Sequence, residues 1–296
     1  MATSRRTFLQ RAAVAAAASA ATPRRILAGA RATDVVTPYF GRKPLARGRS
    51  GVAITSNPHA TRAAVETLRA GGNACDAALC ASAVQTVTEP HMTTITGMLS
   101  MLYFDAATGK LSYCNGGMNA PLAPLPGFNG ADLATGRGAG VPGWWGGFEA
   151  AREKLGTRTR AQLLAPAIGY ARDGFAIYPF LYGEMFSQLD TIGLTATGRS
   201  IYMPNGALLP PGATLRQPQA AEVLERLAAD GSAFFYHGAF AQAYCEAVKA
   251  KGGVITPADF ERYTARWDEP ARGTYHGYDV VGSLLPTTAE RTSSKR

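Results

Sequence analysis

Residues 74–84 read Ala-Cys-Asp-Ala-Ala-Leu-Cys-Ala-Ser-Ala-Val, a helical run that is small and apolar almost all the way round. A helix without a polar face has to be covered on every side, so it belongs inside a large core rather than on a surface. That one stretch demands a layered protein. The chain has the means: 296 residues, 46% hydrophobic and 17% charged, are globular proportions. The 33 Gly and 18 Pro place many turns between short elements.

The flanking sequence supplies the other layers. Residues 51–56 read as a strand, broken at Asn57-Pro58 or His59. Ala64, Val65 and Leu68 give a helical stripe that ends at Gly71-Gly72. Met98–Phe104 and Lys110–Cys114 read as a hairpin around the turn 105–109. Trp144, Phe148, Ala151 and Leu155 share a helical face; Leu163, Leu164, Ile168 and Ala171 mark a further helix, bent or restarted at Pro166. Residues 190–218 are loop-rich, and helices follow over 219–229 and 240–251, with Gly231 and Gly252 suited to their C-terminal caps. Thr256, Pro257 and Asp259 start another helix, and 277–281 is a last strand. The expectation is a mixed α/β chain, with small-residue helices packed on sheets.

The net charge of +9 resembles a nucleic-acid signal but is concentrated at the start. Residues 1–32 hold Arg5, Arg6, Arg11, Arg24, Arg25 and Arg31 and no acid; without them 24 basic and 21 acidic residues leave +3. The phrase SRRTFLQ, then an Ala-rich apolar run, reads as a twin-arginine export signal over 1–32. The run is too short and mild for a permanent bilayer span, so a periplasmic or extracellular protein is expected. Residues 33–50 form an extended lead-in, 51–283 the main domain and 284–296 a polar tail.

Chemistry is hard to find in the residues themselves. Cys75, Cys80, Cys114 and Cys245 form no C-x-x-C pair and have no His at metal spacing, so neither a metal nor a cofactor is expected and the thiols read as buried and free. His59, His91, His237 and His276 each adjoin Pro or Gly and read as loop residues. There is no G-x-S-x-G elbow, P-loop or dinucleotide fingerprint. The polar groups that stand out are Glu89, at the exit of the buried helix, and Asn115 and Asn119, flanking Gly116-Gly117 just past a strand. Glu89 suits a helix cap, an Arg partner or a pocket wall; the asparagines suit a turn or a ligand loop.

Three longer phrases carry a resemblance. GVAITSNPHATRAAVETLRAGGNACDAALCASAVQTVTEPH, GAGVPGWWGGFEAAREKLGTRTRAQLLAPAIGYARDGF and FFYHGAFAQAYCEAVKAKGGVITPADFERYTARWDEPARGTYHGYDVV resemble, in order, the large-subunit side of the γ-glutamyltransferase (glutathione hydrolase) family. The resemblance implies an N-terminal-nucleophile (Ntn) hydrolase with an αββα sandwich, incomplete without its small-subunit half. It implies transfer or hydrolysis of a γ-glutamyl or related acyl-amide group of a small molecule, through a Thr freed by self-cleavage. No stretch here matches that Thr: only nine residues follow Thr287, so neither it nor Thr288 fits the role. The chain is therefore expected to be one half, inactive alone and awaiting a small-subunit partner. The alternatives are an exported ligand-binding protein or a truncated remnant on the same scaffold. The family's carboxylate-binding Arg falls at Gly117, which points away from a γ-glutamyl substrate and toward other amides. The expected substrate-binding set is Asn115, Gly117, Asn119 and Glu89.

Overall fold

The structure, a computed structural model, describes residues 45–283; the export segment, residues 33–44 and the tail from 284, with Thr287 and Thr288, lie outside the described residues. The described chain divides into a larger unit, residues 45–173 and 217–283, and a smaller one, residues 174–216.

In the larger unit α1 spans Pro58–Arg69 and α2 spans Ala74–Thr88. The Gly-Gly-Asn turn between them has a simple logic. Gly71 adopts φ +82°, a left-handed value that glycine takes without strain. Asn73 then caps α2: its Oδ1 accepts from the Asp76 N–H, and Asp76 Oδ2 accepts from the Asn73 N–H, both at 2.9 Å. Asp76 goes on to accept from the N–H and hydroxyl of Thr157 and from the N–H of Arg158, tying the start of α2 to the loop 156–159. As its all-round apolarity requires, α2 is covered: Cys75, Leu79, Cys80, Ala83, Val84 and Val87 are buried.

The sheet is antiparallel, in the order β1 (Leu99–Asp105), β2 (Lys110–Gly116), β5 (Arg266–Asp268). Alternation gives it two faces. Cys114 and Met101, paired in register, face the helices: Cys114 Sγ lies 3.7 Å from the Gly147 carbonyl, and Cys75 Sγ of α2 lies 3.8 Å from Met101 Sδ. The other face carries Leu102 and Phe104, both exposed, beside Tyr113, Asn115 and Asp268. Helix α3 (Trp144–Leu155) lies against this sheet with Trp144, Trp145, Phe148 and Ala151 fully buried, whereas Leu155 is only half-buried. Helix α4 (Arg160–Asp173) runs unbroken through Pro166 rather than restarting there, held by buried Leu163, Leu164, Ala167 and Ala171. Beyond it, α8 (Pro218–Asp230), α9 (Ser232–Phe235), α10 (Ala239–Lys249) and α11 (Pro257–Glu261) complete the helical layer. The rings of Phe235 and Phe240 stack at 4.2 Å. At α11, Thr256 and Asp259 form a further capping box, and Asp259 also accepts from the Leu122 N–H.

In the smaller unit a two-residue strand β3 (Phe175–Ala176) pairs with β4 (Thr214–Leu215). Helices α5 (Pro179–Ser187), α6 (Leu189–Ile192) and α7 (Ala196–Tyr202) lie between them, so the stretch that reads as loop holds short helices.

Other differences from the sequence reading are instructive. Residues 51–55 are extended but unpaired among the described residues, with Val52 and Ile54 exposed; a strand needs a neighbour, and none is present here. His59 is buried in α1 and not in a loop. Strands β6 (Ala271–Tyr275) and β5 precede the last strand β7 (Tyr278–Gly282). β6 and β7 form a hairpin whose two-residue turn, His276-Gly277, takes positive φ at both positions, the geometry that matches strand twist.

The two capping aspartates set an acid dependence. Burial alone would raise Asp76, but the Thr157 hydroxyl and the N–H groups of Asn73, Thr157 and Arg158 hold its pKa below the usual value. Burial likewise opposes, and the Leu122 N–H and Thr256 outweigh, at Asp259. A carboxylate depressed on folding stabilises above its unfolded pKa of about 4 and loses that contribution as the pH falls through the folded values. Chemical unfolding at a series of pH values will show a midpoint that declines below about pH 4, more steeply than in a variant lacking both carboxylates.

Candidate functional site

The end of β2 is the point where the sheet, α3 and the turn after α11 meet. Asn115 is buried, and its amide is used within the protein: Nδ2 donates to Asp268 Oδ2 at 3.1 Å, and Oδ1 accepts from the Gly117 N–H at 3.1 Å. Arg266, the cross-strand partner of Asn115, holds its Nε 3.7 Å from the same Asp268 oxygen. The Gly117 carbonyl accepts from the Tyr263 hydroxyl at 2.8 Å. Asn119 sits further on, bridged through its backbone to Val141 at 3.1 and 2.8 Å. Its side-chain amide has no partner among the described residues and is part-exposed.

Two tyrosines brace this platform. Their rings stack at 5.0 Å. The Tyr236 hydroxyl donates to the Pro142 carbonyl and accepts from the Gly146 N–H. Burial pushes Tyr236 well above its usual pKa, and burial raises Tyr263 as well, so both remain protonated donors. The glycines of the VPGWWGGF phrase are required by contact. A Cβ on Gly146 would lie 2.4 Å from the Tyr263 ring, and one on Gly147 2.6 Å from the Leu99 carbonyl.

Glu89 stands apart from this platform. It is the C-terminal cap of α2, 3% exposed, and among the described residues its side chain neither caps N–H donors nor meets an Arg. Its Oε2 accepts from Ser56 Oγ at 2.9 Å and Gln85 Nε2 at 2.7 Å. So the structure groups Asn115 with Gly117, places Asn119 two residues on, and sets Glu89 in a separate cluster. A cavity of about 380 Å³ adjoins the extended segment, lined by Val52, Ile54, Ala64, Leu68, Ala77 and Ala81.

The cysteines are no alternative nucleophiles. All four are buried and unbridged. Burial, then the Asp76 charge, pushes the Cys75 thiol up to about 12, and burial pushes Cys114 up to about 11. Among the described residues no group of three His, Cys, Asp or Glu side chains is placed to hold a metal. Tyr263, Tyr236, Asp268, Ser56 and Gln85 escape the sequence reading. All five lie inside the longer phrases quoted above, but nothing in their local sequence marks them.

The model of the gamma-glutamyltranspeptidase family matches residues 60–290. The chain belongs to that family. It is 32% identical over 260 residues to the glutathione hydrolase proenzyme of Bacillus subtilis (strain 168), covering 84% of this chain and 44% of that protein. It is 30% identical over 274 residues to the acylase ACY 1 proenzyme of Pseudomonas sp. (strain V22), covering 86% and 48%. The crystal structure of Helicobacter pylori gamma-glutamyltranspeptidase superposes with a TM-score of 0.77 at 28% identity, over 82% of this chain and 72% of that one. The fold is thus the α/β Ntn-hydrolase fold of the gamma-glutamyltranspeptidases, and the chain spans about half the length of the curated relatives it matches.

Proposed function

We propose that this chain is the large-subunit portion of an enzyme that hydrolyses or transfers a γ-glutamyl or related acyl-amide group, with the nucleophilic Thr supplied by a small-subunit segment outside residues 1–296. The observation that carries this reading is the family match over 60–290 together with the 44% share of a hydrolase described as a proenzyme. The exposed Leu102 and Phe104 on the sheet face away from the helices support it, since an apolar sheet face calls for a second layer. The chain alone is inactive in this reading. The twin-arginine phrase at Ser4–Gln10 supports export to the periplasm or beyond, and among the described residues no helix is long and apolar enough to cross a membrane. Residues 51–283 act as the catalytic-fold portion, after the signal over 1–32 and the lead-in over 33–50.

Gly117 sets the substrate preference. A guanidinium at that position would bind a substrate carboxylate bidentately; glycine offers backbone only. Asn119, with an uncommitted amide, presents a neutral donor and acceptor nearby instead. The test is to co-express the chain with the segment encoded downstream and assay γ-glutamyl and uncharged acyl anilides. The co-expressed pair is expected to turn over the γ-glutamyl anilide no better than the uncharged acyl anilide, because the roughly ten- to a hundredfold advantage of one charge-assisted contact is missing. Turnover by the chain alone would refute the two-part reading, and preference for the γ-glutamyl anilide would refute the role given to Gly117.

A further inference from the structure

Glu89 ends α2 in a small polar cluster with Ser56 and Gln85. Its carboxylate is almost fully buried, and it forms no ion pair among the described residues. It also ends a 15-residue helix at the C-terminal side, where the helix dipole is negative and a second negative charge is disfavoured. Burying a charge without a countercharge costs stability. Two neutral donors, Ser56 Oγ and Gln85 Nε2, meet Oε2 only. Oε1 has no partner among the described residues, and neither has Gln85 Oε1. Ser56 is exposed, so the cluster opens to solvent at the end of the unpaired segment 51–55.

We propose that Glu89, Gln85 and Ser56 form a binding site for the primary ammonium group of a small-molecule ligand. Glu89 Oε1, Gln85 Oε1 and the second lone pair of Ser56 Oγ, which already accepts from Gln85 Nε2 at 2.9 Å, offer acceptors for the three N–H donors of an ammonium. One carboxylate among neutral oxygens suits a monovalent cation, and no metal-holding group of His, Cys, Asp or Glu exists among the described residues. The ligand's charge supplies what the fold leaves out at this helix end. The inference stands on the burial and placement of Glu89 and does not depend on the proposed reaction.

The experiment titrates the full chain with ethylammonium chloride and follows the Gln85 side-chain amide by NMR, with NaCl, KCl and tetramethylammonium chloride at equal ionic strength. The expected result is a saturable shift with ethylammonium alone, abolished in Glu89→Gln. That variant keeps the shape and an acceptor oxygen of the side chain and is expected to melt at or near the wild-type temperature. Ser56→Ala, at an exposed position, is expected to keep the fold and weaken binding roughly fivefold. No saturable shift in the wild type, or one that persists in Glu89→Gln, overturns the site. An equal response to potassium or tetramethylammonium overturns the ammonium assignment. A lower melting temperature for Glu89→Gln makes the carboxylate a structural group and likewise overturns the proposal.

Discussion

Gly143→Ala is expected to lose about 3 kcal/mol or more of stability, at or beyond the upper end of the usual cost of overpacking a core. A Cβ at this position would lie 2.2 Å from the Gly117 carbonyl, 2.3 Å from the Gly116 carbonyl and 2.4 Å from the Tyr263 hydroxyl. Two of these neighbours are backbone of β2 and the turn after it, which cannot swing aside as a long side chain would. Helix α3 would have to lift off the sheet. Its inner face would then lose its cover, and that face is Trp144, Trp145 and Phe148, all fully buried, with Trp145 and Phe148 stacked at 5.4 Å. The backbone of Gly143 itself is unstrained for any residue, at φ −107°, so the whole effect comes from contact. Gly169→Ala is the control. A Cβ there meets nothing within 4 Å and lies inside α4, so that variant should gain about 0.5–1 kcal/mol from helix propensity. Urea unfolding of both variants decides the matter. A wild-type midpoint for Gly143→Ala would refute the close-packing account of the VPGWWGGF phrase.

Asp76→Ala is expected to be of similar size, about 3–5 kcal/mol, because it strands several donors at once. The side chain of Asp76 accepts from the N–H of Asn73, the N–H and hydroxyl of Thr157 and the N–H of Arg158, at 2.6 to 3.1 Å. Asp76 is fully buried, so these groups would lose their partner where water cannot readily replace it. Asp76→Asn should fall between alanine and the wild type. An amide keeps one acceptor oxygen but turns an NH2 toward the donors that Oδ2 now serves. Both variants should also lose the part of the acid dependence that the depressed Asp76 pKa creates. Equal stability of Asp76→Asn and the wild type at neutral pH would mean that the second oxygen contributes nothing.

These two residues show how much of the protein was legible beforehand. The GGNAxD phrase is local chemistry: a left-handed glycine, an Asn cap and an Asp three residues into the helix, all fixed by short-range hydrogen bonds. Its order in the chain marked the family, and the apolar run that follows announced a buried helix. Gly143 was visible only as part of a phrase. Its reason, an approach of α3 to the end of β2, joins residues 26 positions apart and has no local signature. The same holds for Asn115. Its amide looked available for a ligand until the sheet brought Asp268 to it from β5.

The sequence by itself determined the elements whose causes are short-range. These are the helix start at Thr256-Pro257-Asp259, the hairpin of β1 and β2, and the amphipathic and all-apolar helices. Tertiary structure decided which polar side chains are committed and which are open. It absorbed Asn115 into a network, left the Asn119 amide uncommitted and buried Glu89 at the wrong end of a helix dipole. It also left residues 51–55 extended without a partner among the described residues. Hydrogen bonds between strands and countercharges for buried groups come from positions distant in sequence, and only their assembly shows which are met.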